Sequence, residues 1–372
     1  MSWPEWLAER ACEREAAGLT RTLSPRPADE AMIDLAGNDY LGLSRSEPVR
    51  RAAAAAARLW GAGAGASRLV TGTLDVHEEL EHALADLTGH EAGLVLSSGY
   101  TANLSVVTAL ADRDTLVVSD AHIHASLVDA ARLSRARVEV TPHADVKAVE
   151  AALAGHRGRA LVLSESIYSV LGDAAPLHEL SAVCARHDAL LVVDEAHGVG
   201  VVGRGGHGLV RELGLHREPH VVVTATLSKA LGAQGGAALG SSALREHLVN
   251  RARPFIFDTA LAPAAAAGAL AAVGELRARP DLPAAIRSRI TALGAALDVP
   301  VPDGAVLSVP MASPEAAVAA RSQILSRGVR VGCFRPPSVP DGISRLRITC
   351  NAGIPEADWQ RAVAIIREVA GR

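Results

Sequence analysis

Six short apolar runs follow one another through the middle of the chain: GLVLS (93–97), TLVVS (115–119), RVEVT (137–141), ALVLS (160–164), ALLVVD (189–194) and HVVVTA (220–225). Most are separated by segments of helical length and pattern. Strands alternating with helices are the mark of repeated βα units, which assemble a parallel sheet with helices on both faces. Strands buried on both faces are apolar nearly throughout, as these runs are. The spacing predicts a doubly wound α/β domain, in which ligands bind beyond the carboxyl ends of the strands. The polar residues that follow each run are therefore the first candidates for chemistry.

The last of these strand ends carries a lysine. In VVVTATLSKALGAQGGAALG (221–240), Lys229 sits in a return between an apolar strand and a second short one beginning near Gly235 and Gly236. A lysine among small and apolar residues loses solvation, which costs its charge several kcal/mol, lowers its pKa and frees the amine to form a Schiff base with a carbonyl cofactor. Thr226, Ser228 and the nearby glycines leave room for a phosphate.

Three further strand ends add to this. SSGYTAN (97–103) opens a helix, so the backbone N–H groups of Gly99 and Tyr100 are free to hold an anion. SDAHIHASLVDA (119–130) places His122 and His124 at another end; His124 reads equally as a structural histidine, and with no third ligand nearby the pair makes no metal site. In VVDEAHGVG (192–200), Asp194 ends a strongly apolar strand, where a carboxylate needs a cationic partner to stay ionised. Alone, Asp194 reads equally as a helix cap or a Mg²⁺ ligand. Together with Lys229 it favours pyridoxal phosphate held as the pyridinium, an effective electron sink, with His197 donating to the phenolic oxygen.

The remaining sequence bounds the rest. A net charge of -4 and the absence of a dense Lys/Arg stripe argue against a nucleic-acid partner. Cys12, Cys184, Cys333 and Cys350 are widely spaced, which predicts a reducing, cytoplasmic setting without disulfides or structural zinc. The amino terminus lacks the apolar core of a signal peptide, and no stretch reaches the ~20 apolar residues of a membrane span. A helix is predicted over 4–18, followed by a Pro-rich connector and by the turn-forming residues Asn38 to Gly42. RLVTGTLDVHEELEHALADL predicts a helix with Leu80, Leu84 and Leu87 on one face. His77 on it reads as a surface or packing histidine, and the alanine runs at 52–57 and 263–272 as tightly packed helices. Beyond residue 241 the alternation fades and prolines punctuate the chain; VPDGAVLSVPM, GVRVGCF and SRLRITC read as strands and EADWQRAVAIIREVA as a closing helix. The predicted division is 1–45 (helix and connector), 46–241 (large α/β domain) and 242–372 (smaller α+β domain).

In that order, NDYLGL, GASRLVTG, SSGYTAN, HASLVDA, DEAHGVGVVG and TLSKALGAQGG resemble the α-oxoamine synthases, a family of fold-type I pyridoxal phosphate enzymes, over almost the whole chain. The resemblance implies a decarboxylative condensation of an amino acid with an acyl thioester, carried by coenzyme A or an acyl carrier protein, in a homodimer with shared active sites. It assigns Lys229 as the Schiff-base lysine, Asp194 to the pyridine nitrogen, His197 to the phenolic oxygen and His124 to stacking on the ring. It places Ser98, Gly99, Tyr100 and Thr226 at the phosphate, Ser169 beside the cofactor, and Thr259 at the phosphate of the neighbouring subunit. Arg347, Thr349, Asn38 and Arg21 are implied to bind substrate, Arg347 clamping the amino-acid carboxylate.

FRPPSVPDGISRLRIT (334–349) is most similar to the branch that uses L-alanine and a pimeloyl thioester; members using other amino acids, and a fold-type I aldolase or aminotransferase, stay open as alternatives. A doubly wound dinucleotide-binding protein is disfavoured, because no GxGxxG follows the first strand. The family often reads Ser-Met-Asp-Gly-Asp where this chain has Ser169-Val170-Leu171-Gly172-Asp173, one carboxylate fewer.

Overall fold

The computed structural model describes residues 1–371 except 18, 22, 337, 338 and 340. Position 18 of the first predicted helix, and Pro337, Ser338 and Pro340 of the 334–349 stretch, lie outside the described residues. The chain divides into two units, Met1–Met32 and Ile33–Arg372.

In the first unit a helix runs over Trp3–Ala16, with Pro4 in its first turn. Ser2 Oγ accepts from the Glu5 N–H at 3.4 Å while the Glu5 carboxylate accepts from the Ser2 N–H at 2.7 Å, a reciprocal cap that satisfies two otherwise orphaned donors.

The second unit contains eleven strands among the described residues: β1 (Ile33–Leu35), β2 (Ala92–Leu96), β3 (Leu116–Asp120), β4 (Arg137–Thr141), β5 (Ala160–Glu165), β6 (Leu190–Asp194), β7 (Val221–Thr226), β8 (Gly236–Gly240), β9 (Val306–Pro310), β10 (Val329–Phe334) and β11 (Arg345–Thr349). Seven of them form one sheet in the order β2-β8-β7-β6-β5-β3-β4. It is parallel except at β8, which runs antiparallel to both β2 and β7. The predicted α/β architecture is present, and Leu116, Val117, Leu191, Val192 and Leu239 at its centre are wholly buried. β4 departs from the expected buried run: four of its five residues are exposed, because it closes the edge and pairs only with β3. Both faces of this strand meet solvent, Arg137 and Glu139 on one and Val138 and Val140 on the other.

β8 is inserted beside β7 by the tight return that carries Lys229. Leu227 and Gly235 are joined by a backbone hydrogen bond of 3.0 Å, and Gly232 adopts φ +60, where any Cβ would lie 2.3 Å from the Ser44 nitrogen. Only glycine fits that approach.

β1, β10, β11 and β9 form a second sheet in that order, β1 parallel to β10 and the other pairs antiparallel. Residues near both ends of the unit thus share one sheet. The closing helix, Glu356–Val369, buries Trp359, Ala362, Ile365 and Ile366. The two alanine-rich helices, Glu47–Trp60 and Pro263–Ala278, pack on each other, with space for only a methyl at Gly268 between Val49 and Ala53. Leu80, Leu84 and Leu87 face the core from the helix Asp75–Thr88. His77 on that helix is fully buried, its Nδ1 accepting from the Leu74 N–H at 3.1 Å and its Nε2 donating to the Leu261 carbonyl at 2.7 Å. All four cysteines are free, and no described helix is long and apolar enough to cross a membrane.

Candidate active site

The carboxyl ends of β5, β6 and β7 bring Glu165, Asp194 and Thr226 to one rim, with Lys229 in the return just beyond. Lys229 is half-buried, and its Nζ lies 2.9 Å from Nε2 of His197. Desolvation lowers the lysine from 10.5 to about 8; the charges of Asp194 and Glu165 act against this, and that of Arg347 reinforces it. His197 is buried, and desolvation, then the charges of Lys229, Arg347 and His124, drive its pKa well below the ordinary value. Its imidazole is therefore neutral.

The other nitrogen of that ring, Nδ1, lies 2.6 Å from the hydroxyl of Tyr40, which donates at 3.1 Å to Asn38 Oδ1. One proton placement satisfies the whole chain: Lys229 donates to His197 Nε2, His197 Nδ1–H donates to Tyr40, and Tyr40 donates to Asn38. Burial pushes the Tyr40 hydroxyl up to about 12, so it stays protonated.

Asp194 is buried, and among the described residues no cation pairs with it. Dipoles hold it instead: Oδ1 accepts from the Ala196 N–H at 2.8 Å and Oδ2 from Asn103 Nδ2 at 2.7 Å. Asn103 also donates to Ser126 Oγ at 2.8 Å and accepts from Thr224 Oγ1 at 2.6 Å. Ser126 contacts His124, which caps its helix by accepting the Ser126 N–H at 3.2 Å. The His124 side chain is lowered from the usual histidine value by burial, then raised by Asp194 and lowered by Lys229. Beside Asp194 in register, Glu165 is raised well above the carboxylate range, by burial and then by the Asp194 charge, with the Lys229 charge and the nearby backbone N–H groups of His124 and Ser169 acting against this. One of its oxygens is buried without a hydrogen-bond partner.

At the other side of the Lys229 return begins the helix Gly99–Leu110, capped by Ser98 Oγ, which accepts from the Thr101 N–H at 3.0 Å. Gly99 lies so near β7 that a Cβ there would stand 2.9 Å from Thr226 Cβ. Thr226 Oγ1 and Ser228 Oγ are 2.8 Å apart. Tyr100 is exposed and donates its hydroxyl to Asp129. Thr259 is exposed and makes no hydrogen bond to the other residues named here.

Arg347 is buried, and among the described residues no carboxylate pairs with it. Its Nε donates to the Ser169 carbonyl at 2.9 Å, both terminal nitrogens reach Asn38 Oδ1 at 3.3 Å, and the guanidinium lies 5.4 Å from the centre of the Phe334 ring. Thr349 donates to the Gly37 carbonyl at 2.6 Å and so holds the turn that carries Asn38. Arg21 lies in the Met1–Met32 unit.

Lys229, His197, Asp194, His124, Ser169, Arg347 and Asn38 are thus linked by contact or charge. The sequence reading passed over Tyr40, Asn103 and Glu165, although two of them stand inside the quoted motifs NDYLGL and SSGYTAN. A buried tyrosine and a buried amide in segments of turn and small-residue composition were the available signal.

A mostly parallel sheet with a desolvated lysine, a buried carboxylate paired with no cation and a helix opened by glycine at its rim defines a class. The chain belongs to the aminotransferase class I and II family, whose model matches residues 30–366. Within it, the chain is 55% identical to the 8-amino-7-oxononanoate synthase of Mycobacterium sp. (strain JLS), over 98% of this chain and 96% of that protein. It is 54% identical to the same-named protein of Mycobacterium marinum, over 98% of this chain and 94% of the relative. Among solved structures, a serine palmitoyltransferase with PLP superposes with a TM-score of 0.93 at 28% identity, covering 100% of this chain and 99% of that one. The 8-amino-7-oxononanoate synthase of Francisella tularensis shares the fold, with a TM-score of 0.76 at 24% identity over 91% of this chain and 97% of that one.

Proposed function

We propose that this protein is a pyridoxal 5'-phosphate-dependent C-acyltransferase that condenses L-alanine with a pimeloyl thioester, giving 8-amino-7-oxononanoate, CO₂ and the free thiol, a step of biotin biosynthesis. The observation that carries the reading is the half-buried Lys229 amine against a neutral His197, 2.9 Å away, beside a carboxylate with no cation.

The residues fit the cofactor. Asp194 lacks the cation that a protonated ring nitrogen would supply, and Gly99 keeps the first turn of a helix clear of side chain where a Cβ would strike Thr226. Bound there, pyridoxal phosphate supplies an electron sink for the carbanion at the amino-acid α-carbon.

This chain's own groups do the rest. Ser98, Gly99, Tyr100 and Thr226 would hold the phosphate, Asp194 would keep the ring nitrogen protonated, His124 would stack on the ring, His197 would donate to its phenolic oxygen, and Ser169 would lie beside the cofactor. Arg347 and Asn38 orient the alanine carboxylate. Lys229 Nζ, as a free amine, would take the α-proton; its lowered pKa lets it accept and return a proton near neutral pH.

The same reading takes coenzyme A or an acyl carrier protein as the thiol, and a cytoplasmic homodimer in which Thr259 serves the partner's phosphate and Arg21 approaches the acyl substrate. It treats 46–241 as the cofactor-bearing domain and 242–372 as the one that completes the amino-acid site.

The test is the visible absorbance of the purified protein with cofactor, titrated with L-alanine, glycine and L-serine, with and without pimeloyl-CoA. A cofactor band lost in Lys229→Ala, and thiol release that needs L-alanine, are expected. The likeness to serine palmitoyltransferase structures supports a second reading, and preference for L-serine in this titration would install it.

A further inference from the structure

A second cluster of titratable side chains lies where β3 and β4 end. His143 points each ring nitrogen at a carboxylate: Nδ1 is 3.0 and 3.2 Å from the two oxygens of Asp120, and Nε2 is 2.9 Å from Asp173. An imidazole can donate to two carboxylates only when both nitrogens carry protons, so this ring is a cation. Burial works against that charge, yet the hydrogen bonds to Asp120 and Asp173 raise the group to about 9. His122 stacks on the ring at 3.9 Å and Tyr168 meets it edge-on at 4.4 Å.

The cluster anchors a turn. Tyr168 donates its hydroxyl to Asp120 at 2.9 Å, so both Tyr168 and Asp173, the two ends of the 168–173 segment, are fastened at the same place. The segment is closed by backbone bonds of 2.9 Å from Tyr168 N to Asp173 O and from Gly172 N to Tyr168 O. Its outward carbonyls serve the second sheet. Ser169 O accepts from Arg347 Nε at 2.9 Å, Val170 O from Ser308 Oγ at 2.5 Å, and Gly172 O from the N–H groups of Asp303 and Gly304 at 2.9 and 3.0 Å.

Gly172 is pressed so closely on β9 that a Cβ would lie 2.1 Å from the Val306 carbonyl. The turn is therefore blocked on that side, and on the other it is tied down through His143 and Asp120. Arg347 has no carboxylate to fix it among the described residues, and its bonds to Asn38 are longer, at 3.3 Å.

We propose that His143, acting through Asp120, Asp173 and the 168–173 turn, is a positioning residue that sets the orientation of Arg347 and with it the affinity for the amino-acid carboxylate. This rests on the activity proposed above. Its effect falls more on amino-acid binding than on cofactor binding, because the turn meets the cofactor only through Ser169, while the phosphate end of the site, at Gly99 and Thr226, is built from other segments.

The test compares holoenzyme of the wild type, His143→Ala, Asp173→Asn and the double variant, reading L-alanine Kd from the spectral change, pyridoxal phosphate Kd, kcat and Tm. In each single variant L-alanine Kd and KM should rise about tenfold with kcat within about twofold, and the double variant should be no worse than His143→Ala, since the two residues act in one chain. Pyridoxal phosphate Kd should change far less, by no more than about twofold. If His143→Ala does not fold, Asp173→Asn carries the same expectation. Wild-type affinity for L-alanine in the folded variants, or equal losses of cofactor and amino-acid affinity, would overturn the inference while leaving the activity standing. A wild type with no response to cofactor or L-alanine overturns both.

Discussion

Asn103 donates to Asp194 Oδ2 at 2.7 Å and takes the Thr224 hydroxyl on its own oxygen at 2.6 Å. A carboxylate held this way is oriented without being neutralised. It keeps its negative charge available for a cation brought from outside the chain, which a lysine or arginine partner would have consumed.

Replacing Asn103 with alanine removes that donor and also strands the Thr224 hydroxyl, both in a buried setting. A loss of about 1–3 kcal/mol in unfolding free energy is expected, as for buried polar groups left unpaired. Urea denaturation of the cofactor-free protein measures it. Cofactor affinity should fall as well, since Asp194 is then held by the Ala196 N–H alone; an unchanged unfolding midpoint would contradict the network.

Lys229 gives a pH dependence with a definite sign. The amine reacts only when uncharged, so the rate of pyridoxal phosphate uptake by the cofactor-free protein should climb with pH through about 8 and then level off. The same lowering makes the folded chain hold fewer protons than the unfolded one between about 8 and 10.5. Stability of the cofactor-free protein should thus gain with rising pH across that window, and Lys229→Met should remove the gain. Stopped-flow uptake and denaturation at several pH values read the two effects separately.

Gly99→Ala places a methyl 2.9 Å from Thr226 Cβ and 3.1 Å from its hydroxyl oxygen. Thr226 is fixed in β7, so the start of the helix must give way and its N–H groups lose their aim. Cofactor affinity should drop about tenfold, by the loss of one charge-assisted hydrogen bond or so. Gly274→Ala is the control: nothing stands within 4 Å there, and an alanine in mid-helix should leave binding alone while stabilising by up to about 1 kcal/mol.

The sheet was legible because its strands are buried on both faces and so are written as apolar runs, and Lys229 and Asp194 stood out as charges at the ends of such runs. β4 was misjudged in burial because a run of similar composition does not reveal whether it lies at an edge. The short strand after the Lys229 return was legible and is β8, antiparallel to β7, but its pairing with β2 on the other side was not, since that depends on contacts far apart in sequence. Tyr40 meets His197 across 157 residues and Asn103 meets Asp194 across 91. Nothing local marks either pairing. His143 lay unremarked in TPHADV because its two carboxylates arrive from β3 and from the 168–173 turn.

Asn38 and Arg347 hold the same site from positions 309 residues apart, one just after β1 and the other in β11, strands that flank β10 in a single sheet. During synthesis β11 emerges almost last, long after the βα units can form. A ribosome-bound chain stopped before β11 would carry Lys229 and its surroundings without the arginine proposed to grip the amino-acid carboxylate. Under the activity proposed above, the amino-acid site is therefore complete only once β11 has joined its sheet.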